Sequence, residues 1–160
     1  MAGNLFLQID GVGGECVESN HAGWIDVESY QEGLHSTSSA GFGGGAGLGS
    51  VSYSDMVVSC QLEKAIPTLM AGCAGNKHYG TAKLHATKME GNKSWNYLEI
   101  TLTDVVVTGV SFSGSPNAMP HVSVSLAFSK IKTEYFQQTK EGGKGAGTVA
   151  EWNQKENQKV

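Results

Sequence analysis

The sequence predicts a mainly β fold: a small antiparallel barrel or sandwich of about eight strands with one α-helix. Three observations carry that expectation. Apolar and polar residues alternate with period two along most of the chain, the pattern of strands with one face in a core and one in water. Valine is the most frequent of the large aliphatic and phenyl residues, 14 of the 34 Leu, Ile, Val and Phe, and valine suits a pleated, half-buried surface. Only one window has helical spacing. At 160 residues the chain has the length of a single domain, 1–160, long enough to bury a core without staples.

Taken in order, Leu5, Leu7 and Ile9 alternate with Asn4, Gln8 and Asp10, and Ile25 and Val27 with Trp24, Asp26 and Glu28. Further strands are expected at Val51–Gln61 and Tyr79–Met89. Leu98, Ile100 and Leu102 alternate with Glu99, Thr101 and Thr103, and another strand is expected at Val105–Ser113. Val122, Val124, Leu126 and Phe128 share one face, after which Ile131 and Tyr135 fall on odd positions. That change of parity predicts a bulge or sharp twist near Lys130. A final strand is expected at Thr148–Asn153, followed by a frayed polar tail, 153–160. The helix is placed at about 64–74, where Ile66, Leu69, Met70 and Cys73 form one apolar stripe. Pro67 suits its first turn and Gly75 its C-terminal stop.

Two glycine-rich segments interrupt the pattern. Residues 33–49 hold seven glycines, with Leu34, Phe42 and Leu48 as the only large apolar side chains, and Gly142–Gly147 holds four. Long loops in compact domains are commonly functional. Leu34, Phe42 and Leu48, with Gly43, Gly44 and Gly45 giving a pliant backbone, are therefore the candidate contacts with another subunit.

Charge narrows the partners. The net charge is −4, and all 11 basic residues are lysine. Without arginine or a lysine run, no nucleic-acid or anionic-membrane partner is expected. No apolar run approaches the length of a membrane span, and the start, MAGNLFLQIDGVGG, has neither the basic nor the apolar region of a signal peptide. Cys16, Cys60 and Cys73 are odd in number and unpaired in spacing, which fits reduced thiols. They and the five histidines are read as small core-like and surface residues, respectively, with no metal site.

GFGGGA at Gly41–Ala46 fits a relaxed dinucleotide fingerprint, but the strand-like VSYSDMVV follows where a helix should start. GVSFS at Gly109–Ser113 lacks the last glycine of a nucleophile elbow. No catalytic residue, cofactor or metal ligand is assigned, and the expectation is a non-enzyme. Trp24, Trp95 and Trp152 are expected in core or interface packing.

The chain also resembles a known family. FLQIDGVGGE and HAGWIDVESY resemble the start of the haemolysin-coregulated protein (Hcp) family, the tube protein of the bacterial type VI secretion system. In the same order, GGGAG at Gly43–Gly47 resembles its glycine-rich loop, and PTLMAGCAGNKHY at Pro67–Tyr79 its helix and the turn after it. YLEITLTDVVVTGVS and VSVSLAFSKIKTEY resemble its long strands, and TVAEWNQKEN its last strand. The chain departs from the family at GSPNAMPH, between Ser113 and Val122, and at Glu151, which precedes Trp152.

The resemblance implies a β-barrel related to phage tail tube proteins. It implies a homo-hexameric ring, stacking into a tube that a contractile sheath expels, with sheath, baseplate and spike components as partners. Small effector cargo in the lumen, assembly in the bacterial cytoplasm and export without a cleaved signal peptide follow from it. Ser113–His121 is then expected to be a loop at the lumen or rim, with Pro116 and Pro120 breaking the ladder and Ser115 as the cargo-contacting candidate. No fused effector domain is expected after residue 160. The alternative is a carbohydrate-binding module or enzyme on a β-sandwich, which would be monomeric.

Overall fold

The computed structural model describes residues 3–37 and 50–160. The chain forms β1 (Gly3–Ile9), β2 (Ile25–Val27), β3 (Ser29–Gln31), β4 (Leu34–Ser36), β5 (Val51–Tyr53), β6 (Met56–Gln61), α1 (Ala65–Ala74), β7 (His78–Glu90), β8 (Lys93–Ser115), β9 (Ala118–Gln138) and β10 (Lys144–Asn153). The main sheet runs β2-β1-β7-β8-β9-β6-β3, with β10 also on β9, and all pairings are antiparallel.

β2 and β3 lie at opposite ends of that order, yet only Glu28 separates them in the chain. The sheet therefore curls until its ends meet. Glu28 N donates to Ser59 O of β6 at 2.8 Å across the closure. Leu7, Ile9, Ile25, Met56, Val58, Leu84, Leu102 and Leu126 fill the interior with almost no exposure. The alternation read from the sequence puts these residues on the inner face, and α1 lies against β8.

α1 buries Ala65, Ile66, Leu69 and Gly72, while Met70 is 42% exposed. The apolar face is thus rotated from the expected stripe, and Met70 does not belong to it. The reason is Gly72: a Cβ there would meet the Tyr79 hydroxyl, so a bare backbone at this point lets the buried Tyr79 ring lie against the helix. The left-handed residue after the helix is Asn76 (φ 52°), not Gly75 (φ −92°), whose N–H bonds back to Ala71 O.

Several strand limits differ from expectation. Val51–Gln61 is two strands, interrupted at Ser54 and Asp55. Leu98–Leu102 and Val105–Ser113 are parts of one 23-residue strand, β8. The parity change in β9 is present, but its cause lies across the ladder. Thr103↔Lys130 and Val105↔Phe128 keep register, while Asp104 between them takes φ 57°. The buried series switches there in both strands, from Leu102 to Val105 and from Phe128 to Ile131.

The polar tail is folded back, not frayed. Asn153 is buried, its Oδ1 accepts from Lys155 N at 3.1 Å, and Asn153 and Gln158 exchange backbone bonds of 2.9 and 3.2 Å. His21 also departs from the surface reading. It is 3% exposed, stacked on Phe6 with ring centroids 4.2 Å apart.

Candidate functional site

Two regions carry the residues singled out above. The first is the ribbon from which the glycine-rich segment leaves. β4 and β5 pair Leu34↔Tyr53, His35↔Ser52 and Ser36↔Val51. Thr37 N donates to Ser50 O at 3.2 Å, and Ser54 N to Gly33 O at 2.9 Å, so both ends of the ribbon are hydrogen-bonded. Leu34 is 58% exposed on this ribbon. Phe42, Gly43, Gly44, Gly45 and Leu48 lie outside the described residues. At the base, the Tyr53 ring meets Phe128 edge-on, with centroids 5.9 Å apart.

The second region is the outer face of the β3–β6–β9–β8 end of the sheet. Register sets Ser29 opposite Ser59, Ser59 opposite Ser123, and Ser123 opposite Ser111, a row of four hydroxyls across four strands. Ser125 and Gly109 extend it on one side, Gln61, His121 and Ser113 on the other. A bulge keeps β8 in phase with this row. Register shifts between Val107 and Gly109, where Thr108 turns out to donate to Asp55 Oδ2 at 2.7 Å. A shallow cleft of about 310 Å³ opens on this face, with Ser59, Ser111, Ser123 and His121 among its walls.

The row leads to Ser115, and here the structure corrects the expected loop. Residues 113–121 form a hairpin end: the ladder continues to Ser115↔Ala118, with a two-residue turn at Pro116 and Asn117. Pro120 is tolerated because the register shifts beside it at the hairpin end, where its ring lies next to Gly114. Its carbonyl accepts from Leu62 N at 3.1 Å. Ser115 is exposed at the tip, near the half-exposed Phe112 and Met119. The sequence placed Ser115 by its neighbours; the serine row escaped it because register across four strands is not written in any one segment.

The reactive groups elsewhere are quiet. Burial pushes the Cys60 thiol up to about 11, helped by Glu63 and Glu28, and pushes Cys16 up as well. In both, burial disfavours the thiolate, the reactive form. Glu15, Asp26, Glu28 and Glu63 border a cleft of about 460 Å³, and burial raises the Glu63 carboxyl. Among the described residues no three His, Cys, Asp or Glu side chains converge with metal-holding geometry. No helix there is long and apolar enough to cross a membrane. Trp24 packs against His21 and His85, and Trp152 against the core.

Comparison with known proteins bears on the family and the fold. Residues 6–135 match the family model described as type VI secretion system effector, Hcp. Over 159 residues the chain is 36% identical to Protein hcp1 of Pseudomonas aeruginosa, covering 98% of each. It superposes on the crystal structure of Hcp1 from Salmonella typhimurium with TM-score 0.81, 33% identity and full coverage of both chains. On Hcp2 from the same organism the TM-score is 0.74 at 28% identity, covering 97% of this chain and 98% of that one.

Proposed function

This chain belongs to the Hcp family of type VI secretion effectors, and from that premise we propose that it is the repeating unit of the secretion tube. Six copies close a ring through one heterologous contact repeated by rotation. Rings stack, and a contractile sheath drives the stack outward past baseplate and spike components. The whole chain, 1–160, acts as one tube domain, assembled in the bacterial cytoplasm and released without a cleaved signal peptide. The segment 33–49, through Leu34, Phe42, Gly43, Gly44, Gly45 and Leu48, reaches a neighbouring subunit. The role is structural, with no catalytic step.

The observation that carries this reading is the serine row Ser29–Ser59–Ser123–Ser111. A conduit for folded cargo needs a wall that stays wet yet binds nothing tightly. Short uncharged hydroxyls meet both needs: they hold water and offer neither a large apolar anchor nor a fixed charge. We assign this face, with Ser115 at its rim, to the lumen, where small effectors travel. The test is complementation. In a bacterium with a type VI machine but no Hcp of its own, the tagged chain should reach the medium only while the sheath can contract. Release that continues with the sheath disabled would contradict the proposal.

A further inference from the structure

Asp104 holds a left-handed backbone (φ 57°) in the middle of a strand, a conformation that costs a non-glycine residue energy and persists only where its surroundings fix it. Three donors fix it here. Lys155 Nζ lies 2.6 Å from Oδ2, Ser129 Oγ 2.8 Å from the same oxygen, and His78 Nδ1 3.2 Å from Oδ1. The ammonium of Lys155 first, then Ser129 and His78, hold the carboxyl well below the usual carboxylate range. The kink is thus tied to the C-terminal tail, 51 positions away.

From that anchor the tail runs toward the ribbon. Gln154 N donates to Ser129 O at 2.7 Å and Gln154 Nε2 to Phe128 O at 2.8 Å. Phe128 is the residue whose ring carries Tyr53 of β5. Asn157, itself left-handed at φ 51°, presents Oδ1 to Val51 N, the first amide of β5, at 3.5 Å. The tail therefore touches the returning strand of the ribbon once directly, at Asn157, and is linked to it indirectly through Phe128.

We propose that residues 154–158 are a positioning strap: anchored on Asp104, they set the direction in which the β4–β5 ribbon leaves the barrel. The importance of that direction for assembly rests on the reading that the ribbon carries an intersubunit segment; the strap itself does not. Its residues act on the neighbouring subunit only through the ribbon, so they are positioning residues.

Hydrogen exchange on the full-length protein separates the possibilities. Two variants are used: Lys155→Met, which keeps the aliphatic stem, and Asp104→Asn, which keeps a residue tolerant of left-handed backbone. In both, exchange at Val51–Tyr53 should quicken by roughly three- to tenfold while the β7 and β9 core amides keep their rates. Stacking of rings, read by electron microscopy at matched concentration, should fall in parallel. Unchanged exchange at Val51–Tyr53 in both variants would overturn the strap and leave the tail as a cap on the kink. Faster exchange with undiminished stacking would overturn its positioning role. The exchange arm reads the strap even in a protein that never stacks, so absence of stacking in the unaltered chain counts against the proposed function instead.

Discussion

His21 Nε2 and His85 Nδ1 lie 3.0 Å apart, joining the loop between β1 and β2 to the outer face of β7. Around them, Glu18 accepts from His21 Nδ1, and the Asn96 amide lies 3.1 Å from His85 Nδ1 and 3.0 Å from Glu99 Oε1. Phe6 and Trp24 close the cluster with ring contacts. It is a small second core on the outside of the barrel, built from polar groups that satisfy one another.

This cluster makes stability depend on pH. Burial, helped by the charges of His21, Lys83 and Lys144 and opposed by Glu99, pushes His85 down to about 4. The unfolded chain takes a proton at His85 near pH 6.5 and the folded chain does not, so the contribution is complete above about pH 6.5 and is lost as pH falls toward 4. The slope has an upper limit of about 1.4 kcal/mol per pH unit, lowered by water at the half-buried ring. Urea unfolding of the native chain and of His85→Gln should therefore converge in stability between pH 6.5 and 4.5. Parallel profiles would show that His85 does not carry the dependence.

The contact between Gly72 and Tyr79 gives a second expectation. Gly72→Ala should destabilise by about 1–3 kcal/mol, because the methyl meets the Tyr79 hydroxyl in a packed site. That hydroxyl is buried with no hydrogen-bond partner among the described residues, so Tyr79→Phe should be close to neutral or stabilising. The double variant should recover much of the loss. Thermal unfolding of the four proteins reads this, and a double variant no better than Gly72→Ala would contradict it.

Much of the fold is legible in the sequence, and the illegible parts share a cause. The strands declare themselves because each side chain's face follows from parity within one segment. The helix is found for the same local reason, although Met70 lies off the buried face, because Gly72 counts as apolar surface only with Tyr79 against it. The kink left a trace in β9, as the jump from Phe128 to Ile131. The residue that makes it, Asp104, is on the neighbouring strand. His21 and the folded tail both depend on partners distant in sequence: Phe6 and His85 for the first, Asp104 and Phe128 for the second. Of the site residues, Leu34 and Ser115 are exposed, whereas the serine row exists only through register.

The glycine-rich segment is expected to matter for assembly and little for folding. Phe42→Ser combined with deletion of Gly43–Gly47 should leave the thermal midpoint of the barrel unchanged while stacking and release fall. A buried phenyl group contributes about 1.5–3 kcal/mol, comparable to the entropy of ordering one or two residues, so one docked copy is marginal and many in a tube are not. Stacking that survives both changes would make the segment a spectator.

Ser115→Trp, at the exposed hairpin tip, should reduce co-purification of small effectors without changing the mass of the ring. The bulky ring narrows the rim that the hydroxyl leaves open. Undiminished co-purification would remove Ser115 from the cargo path, and Ser123→Trp, in the middle of the serine row, then decides whether that face lines the lumen at all.

The central claim, that this chain is a ring-forming tube subunit, is tested most directly by native mass spectrometry of the untagged protein at micromolar concentration. The account predicts a dominant species of six times the 16.8 kDa chain, with multiples of it as concentration rises. A spectrum containing only the monomer across that range would contradict it.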